Sequence, residues 1–430
     1  MLAILGLLTI VVFLYLIMTK KVSVIIALVL VPVVFALIGG QGEGIGTAML
    51  EGIIQVAPTG IMLMFAVLYF GLMSDVGLFD PVIKKVVTAV KGDPLKVIVG
   101  TAAVTMLVHL DGDGTATFMI TITAFLPIYK RLGINKLILP CIVALGAGAM
   151  HLVPWSGPQA RAMSALQTDA SQLFTPIIPS MIAGIIYVLC VAFFIGLKER
   201  KRLGVIDFHY NLEEELTEDQ RTMRRPKLIW FNAVLTILLI AALVLHMLPH
   251  PVLFIIGFSI ALLVNYPKLK DQTARINSHA KSIVLVTSMI FAAGIFSGVL
   301  NGTGMIGAMA DSLVSIVPES MARFLPVTVA VLSMPLSLVF TPDAFYYGML
   351  PVLSNATAGF GMDPIEIGRA AIFGQMTTGF PLSPLTASTF LLVGLAEVDL
   401  AEHQKFTFKW AWGTTIVFTI IALITGTISI

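Results

Sequence analysis

Apolar runs long enough to cross a bilayer, 18 residues or more, recur along the whole chain, and this limits its fold more than any other feature. A buried core in a soluble domain cannot account for them. Of 430 residues, 57% are hydrophobic and 12% charged, where soluble domains carry about 25% charged residues. The first run, Met1 to Met18, lacks the basic n-region and small-residue cleavage site of a secretory signal, so it is expected to stay as a transmembrane helix. Spans are expected at 1–18, 22–40, 52–73, 137–168 (broken), 176–197, 228–248, 251–265, 282–300, 364–396 (broken) and 406–430. Two further apolar stretches, 95–129 and 322–352, need separate treatment.

The net charge of +2 is uninformative, but its placement is not. With an external N-terminus and strict alternation, all of the 26 Lys and Arg except Arg161, Arg323 and Arg369 fall on the cytosolic side. That is the bias of the positive-inside rule, and the opposite orientation inverts it. Arg323 and Arg369, at segment starts, fit snorkelling to the surface. The stretch from Lys198 to Lys227 is dense in both charge signs and has no apolar period. Residues 201–227 read as a cytosolic linker between a first membrane unit, 1–200, and a second, 228–430. Cys141 and Cys190 sit in separate apolar helices, so neither a disulfide framework nor a metal site is expected.

The stretch 95–129 is flanked by Lys96 on one side and Lys130 and Arg131 on the other. A single crossing would put one basic end outside and flip every later span. A re-entrant hairpin open to the cytosol keeps both ends inside, with the polar, glycine-rich His109-Leu-Asp-Gly-Asp-Gly-Thr115 at its tip. Such backbone is tolerated at membrane depth only against protein or a water-filled cavity. The stretch 322–352, interrupted by Phe340-Thr-Pro-Asp-Ala-Phe345, is its counterpart open to the exterior. Local matches support a repeat: Gly133-Ile-Asn135 with Gly361-Met-Asp363, and Pro154-Trp-Ser156 with Pro381-Leu-Ser383. Thr115 in the first tip falls opposite Asp343 in the second. An odd number of crossings per half makes the two copies inverted, the plan of many secondary transporters, with substrate near the midplane at discontinuous helices. The expected fold is an all-α membrane protein of two inverted repeats, about ten transmembrane helices (two of them broken) and two re-entrant hairpins.

Both broken helices carry paired prolines among glycines: Gly146-Ala-Gly-Ala-Met-His-Leu-Val-Pro-Trp-Ser-Gly-Pro158 and Gly374-Gln-Met-Thr-Thr-Gly-Phe-Pro-Leu-Ser-Pro384. Proline removes a donor and clashes with the preceding turn, so both should unwind. The alternative is a structural kink. Asp111 and Asp113 in the first tip are candidate metal or proton ligands, since a carboxylate at membrane depth costs about 2.5–3.5 kcal/mol on insertion scales. Two carboxylates so close repel unless a proton or cation joins them, and hard oxygens suit Mg²⁺ or Ca²⁺. The alternative is that they are solvated turn residues at a tip reaching cytosolic water. Asp343 follows the same logic. His151 is a candidate proton or ligand site, although it and His109 can equally be histidines bonded to a neighbour. Arg161 follows the first break directly, and its planar fork fits a carboxylate; snorkelling is the alternative. No Walker loop, nucleotide-binding spacing or Ser/His/Asp arrangement occurs, so no enzyme is expected. A channel needs a continuous polar pore, whereas broken helices and paired hairpins suggest an occluded site.

The residues now resemble the citrate–metal–proton symporters (CitMHS) of the ion transporter superfamily, essentially end to end. The resemblance is strongest at Gln55-Val-Ala-Pro-Thr59, Tyr69-Phe-Gly71, Gly77-Leu-Phe-Asp-Pro81, Val90-Lys-Gly-Asp-Pro-Leu-Lys96, Leu110-Asp-Gly-Asp-Gly-Thr115 and Pro154-Trp-Ser-Gly-Pro158 with Arg161. It implies an elevator-type transporter in the cell membrane that takes up citrate complexed with a divalent metal ion, driven by protons. The metal is then part of the substrate and no cofactor is expected. Partners are the metal–citrate complex, protons and the bilayer, with no nucleic acid; a homodimer is carried as an expectation. The resemblance, the breaks and the tips together nominate Arg161, Ser156, Gly157, Gln159, Thr115, Thr377, Thr378 and Ser383 for the substrate. They nominate Asp111, Asp113, Asp343 and His151 for metal or proton. Sodium-coupled relatives look to carry Ser-Asn-Thr at the tips, so Asp-Gly-Asp-Gly and Thr-Pro-Asp favour proton or metal coupling. Family members read Pro-Trp-Gly-Gly-Pro-Thr-Pro-Arg, so Ser156, Gln159 and Ala160 are departures, as is His151. These keep open a proton- or sodium-coupled carrier of another di- or tricarboxylate.

Overall fold

The computed structural model describes residues 1–90, 92–205, 222–245, 247–316, 318 and 322–429, and these are helical throughout with no strand among them. Most of the linker, and Lys91, lie outside the described residues. Six helical stretches are long and apolar enough to cross a bilayer: Ile45–Asp75, Pro94–Asp111, Ala170–Leu203, Pro226–Val244, Leu269–Gly302 and Leu400–Ile424. Shorter apolar helices accompany them. The chain is therefore a multi-pass membrane protein.

One helix set forms around two long elements, α3 (Ile45–Asp75) and a later helix, Leu269–Gly302. They make the most extensive helix–helix contact of the fold. Their backbones meet because glycines face each other: a Cβ at Gly52 would strike the Gly294 carbonyl, and one at Gly298 would strike that of Ala48. Small residues give this close approach, and packing, not hydrophobicity, holds helices together in lipid. Two preceding helices, α1 (Leu2–Met18) and α2 (Val24–Ile38), pack beside this pair. Ser23 caps α2, its side chain accepting from the Ile26 N–H.

The second set begins after α4 (Asp80–Ala89), a short amphipathic helix that the apolar runs do not announce. Next come α5 (Pro94–Val108), a single tight turn at His109–Asp111, and α6 (Gly114–Leu132). Asp93 caps α5 and Asp113 caps α6, so the Asp-Pro and Asp-Gly pairs punctuate this helix–turn–helix as start signals. Both of its outer ends lie at the C-terminal end of one helix. Asp93 pairs with Arg200 at 3.6 Å, and Arg202 donates to the Gly133 carbonyl at 2.8 Å. Between them, α7 (Ile138–Met150) runs into a non-helical stretch at 151–156, followed by α8 (Gly157–Leu166), α9 (Ala170–Leu173) and α10 (Ile178–Leu203).

Downstream, α11 (Ile229–Val244) and α12 (His250–Asn265) are clipped together by a buried reciprocal pair, Asn232 with Asn265, at 2.9 and 2.8 Å. The helix Leu269–Gly302 is α13, and α14 (Met305–Ile316) follows it in a segment not expected to be helical. Then come α15 (Leu325–Leu336), a π-helical stretch Ala344–Met349, α16 (Leu350–Gly359) and α17 (Ile365–Ile372). Residues 373–386 are non-helical, a longer break than the prolines alone suggest, before α18 (Ala387–Leu395) and α19 (Leu400–Ile424). Glycine explains the extension: Gly374 and Gly379 press against the end of α15, and a Cβ on either would meet Met334 or Ser337. The packing of the two halves is parallel in kind. α5 lies on α7 and α10, and α15 lies on α17 and α19.

Candidate functional site

The two breaks meet. Gly148 on α7 sits against the backbone of Thr377 and Thr378, and Gly157 at the start of α8 sits against the Met376 side chain. Around this crossing, hydroxyls replace the helical bonds that proline and glycine have removed. Ser156 Oγ donates to the His151 carbonyl (2.7 Å), and Thr377 Oγ1 to that of Ile372 (2.7 Å). Thr378 Oγ1 lies 2.6 Å from Thr415 Oγ1, and Ser383 Oγ donates to the Ser337 carbonyl (2.6 Å). Four of the eight residues nominated for substrate thus have their hydroxyls engaged in holding the unwound backbone. All four are buried.

Arg161 enters this crossing from α8. Its Nε donates to Asp343 Oδ1 at 2.7 Å, and its Nη1 to the Gly157 carbonyl at 3.3 Å. The two charged side chains are only 17% and 14% exposed. Asp343 belongs to the turn that opens the π-helical stretch, so the pair joins the first half of the chain to the second. Gly157 leaves room for it: a Cβ there would stand 3.3 Å from Nη1. Tyr346 and Tyr347 follow Asp343 and are buried, with Tyr346 Oη donating to the Gln375 carbonyl at 2.8 Å.

The turn between α5 and α6 reaches the same place from the other side. Trp155 Nε1 donates to the Leu110 carbonyl at 2.7 Å, and its ring stacks on Phe70 of α3 at 5.2 Å. Asp111 Oδ1 accepts from the Asp113 N–H and Asp113 Oδ1 from the Thr115 N–H, each at 2.8 Å. Asp111 is half-buried, whereas Asp113 and Thr115 are exposed. The two carboxylates therefore shape the turn with one oxygen each and retain the other. His109 and His151 meet edge to face at 4.8 Å, both buried, and His151 also touches the Phe380 ring at 4.6 Å. Thr117 Oγ1 donates to the Asp113 carbonyl, so it must accept from His109 Nδ1 at 2.8 Å. That leaves His109 Nε2 as a bare acceptor, and it has no partner. Among the described residues, Gln159 Oε1 and Gln375 Oε1 are also buried without hydrogen-bond partners.

Of the nominated residues, the structure brings Arg161, Asp343, Ser156, Gly157, Thr377 and Thr378 around one crossing, with His151 and Gln159 beside it. Sequence reasoning passed over Gln375, Tyr346 and Tyr347. Gln375 carried a signal, a lone amide inside an apolar break; the tyrosines carried none apart from following Asp343. Among the described residues no three His, Cys, Asp or Glu side chains form a ready-made metal cluster.

A multi-pass helical chain with two crossing breaks and a buried ion pair between its halves has the build of a membrane transport protein. The model of the CitMHS family, described as citrate transporter, matches residues 7–374. The chain belongs to that family. It is 54% identical over 429 residues to the citrate transporter of Bacillus subtilis (strain 168), covering 100% of both chains. It is 51% identical over 433 residues to the Mg(2+)/citrate complex secondary transporter of the same organism, again covering 100% of both. Among solved structures, the YdaH transporter of Alcanivorax borkumensis superposes with a TM-score of 0.58 at 13% identity, over 90% of this chain and 88% of that one. MtrF of Neisseria gonorrhoeae gives 0.59 at 14%, over 90% and 84%. These two likenesses concern the fold alone.

Proposed function

We propose that the protein is a secondary active transporter that takes up citrate complexed with a divalent metal ion, driven by protons. The observation that carries this reading is Arg161: a buried guanidinium beside an unwound helix, with its fork partly uncommitted. Citrate with all carboxylates ionised would be expensive to bury. A divalent cation removes two of its charges, and Arg161 can take a carboxylate bidentately. The two names among the relatives point the same way, since one carries citrate and one an Mg²⁺–citrate complex.

Within this reading Ser156, Gly157, Gln159, Thr115, Thr377, Thr378 and Ser383 surround the substrate, and Asp111, Asp113, Asp343 and His151 serve the metal or the proton. Residues 1–200 and 228–430 are inverted repeats joined by a cytosolic linker, with hairpins at 95–129 and 322–352 and an external N-terminus. One repeat-derived unit carries the site past the other in an elevator movement. The parallel packing of α5 and α15 on their neighbours supports the repeat. A cavity of about 610 Å³ lies between α3 and the end of α8, lined by Pro58, Met62, Met163 and Asp169. The unpartnered amide oxygen of Gln159, at a departure from the family pattern as is the buried His151, favours a second reading in which a related di- or tricarboxylate is the cargo.

Uptake of labelled citrate into proteoliposomes, with Mg²⁺, Ca²⁺ or no divalent cation and with or without an inward proton gradient, tests both parts. Accumulation is expected only with a divalent cation and the gradient, and the double variant Asp111→Asn/Asp113→Asn should lose the gradient's effect. Uptake indifferent to the cation would refute the metal complex; indifference to the gradient would refute proton drive.

A further inference from the structure

The Arg161–Asp343 pair raises a question that cargo binding alone does not answer. An arginine placed to receive a substrate carboxylate is already bonded to a carboxylate of the protein, 182 positions away in the chain. We propose that Asp343 is the internal substitute for the cargo: it neutralises Arg161 in the empty carrier, and the cargo displaces it. This deepens the reading of metal–citrate transport and rests on it.

Three observations support the assignment. The pair is largely buried, so either charge left alone there would be strongly disfavoured; an empty site without Asp343 would hold an uncompensated cation. The contact is one hydrogen bond, Nε to Oδ1, not the two-pronged fork that arginine and a carboxylate can form, so a better-placed carboxylate can outcompete it. Asp343 also stands on an irregular backbone. Pro342 precedes it and a π-helical stretch follows, a geometry that occurs mostly at functional irregularities. The α8 side has a second hold by contrast, since Arg161 Nη1 also donates to the Gly157 carbonyl at 3.3 Å. The aspartate is the partner free to leave.

The consequence concerns the return step. A transporter that accumulates its cargo must cross back empty, and the buried charge at Arg161 opposes that unless it is paired. Asp343 supplies the pair. With cargo bound, Arg161 holds the citrate carboxylate and Asp343 is released. Exchange of cargo for cargo does not require the empty carrier to cross, so it depends far less on the substitute.

Two variants separate this from a structural role. In Asp343→Asn the shape stays and the competing charge goes. In proteoliposomes of the full chain, net uptake of labelled citrate with Mg²⁺ is expected to fall at least tenfold further than counterflow exchange does. The half-saturating concentration in exchange should drop several-fold, because the cargo no longer competes for Arg161. Asp343→Glu keeps the charge and should restore net uptake at least in part. Equal losses of net uptake and exchange in Asp343→Asn, or a rise in its half-saturating concentration, would overturn the substitute role. So would Asp343→Glu behaving as Asp343→Asn. If the unsubstituted protein exchanges no citrate with any divalent cation, it is the metal–citrate reading that fails.

Discussion

At Arg161 the shape of the side chain should matter as much as its charge. A lysine there keeps a cation but offers one compact ammonium in place of a planar fork that can hold a carboxylate and the Gly157 carbonyl together. Losing one charge-assisted hydrogen bond corresponds to about 1.5–3 kcal/mol. Arg161→Lys is therefore expected to raise the half-saturating metal–citrate concentration by roughly tenfold or more, with the protein still folded. Equilibrium binding of labelled citrate by purified protein, alongside its thermal transition, checks this. An unchanged affinity would leave Arg161 as a structural partner of Asp343 with no part in holding cargo. The residues of this site were individually legible, because an ionisable group inside an apolar run stands out. Arg161, Asp343, Asp111 and Asp113 all announce themselves in this way. Their partnership was not legible. Nothing in the local sequence says that Arg161 meets Asp343, or that the Thr377 hydroxyl is spent on the Ile372 carbonyl, because both depend on how two distant breaks cross.

Helices were read from apolar length, and length finds spans better than it finds short or irregular elements. The two long helices α3 and α13 lie where their apolar stretches do. The ten-residue α4 and the helix α14 escaped notice because each is too short to stand out from its surroundings. The second break proved longer than its prolines, because Gly374 and Gly379 are bound to α15 by close approach and not by proline chemistry. One packing signal was present in the sequence: Gly294, Gly298 and Gly302 recur every fourth residue on α13, which places them on one face. The backbones of α3 and α13 touch there, so a large side chain cannot enter without parting the helices. Overpacking of a tight contact costs about 1–3 kcal/mol or more. Gly298→Leu is expected to lower the thermal transition by several degrees or to abolish folded yield. Gly307→Leu on α14, where a Cβ would meet nothing within 4 Å, is expected to leave it in place. Thermal unfolding of the two purified variants, followed by tryptophan fluorescence, makes the comparison. Equal transitions would mean that the α3–α13 contact contributes little.

Over the whole molecule, charge placement leads to the expectation that both ends of 95–129 lie on one side, and the ion pairs at those ends bear on how it can be tested. Lys96 and Lys130 flank the first helix–turn–helix, and both are exposed. Lys130 bonds Glu397 at 2.7 Å, and Lys136 donates to the Glu397 carbonyl, so the exit of α6 is tied to the connection between α18 and α19. Asp93, at the entry to α5, pairs with Arg200 near the end of α10, and Arg202 two residues on holds the Gly133 carbonyl beyond α6. Entry and exit are thus both fastened near one end of α10, and on that basis we propose that they share one face of the bilayer. The other basic cluster gathers elsewhere by the same logic: Arg224 pairs with Asp80 at 2.8 Å and Arg275 with Asp75 at 3.2 Å, bringing the exit of the linker to the ends of α3 and α13. Cysteines introduced singly at Lys96 and Lys130, in a protein with Cys141 and Cys190 replaced by serine, are therefore expected to react with an impermeant maleimide from the same side. That side should also be the one from which a cysteine at Arg202 reacts. In right-side-out cells all three should stay unlabelled until the membrane is opened, as the positive-inside rule requires for a cytosolic face. Labelling of Lys96→Cys and Lys130→Cys from opposite sides would mean that the stretch crosses once, and the order of every later span would then have to be reversed.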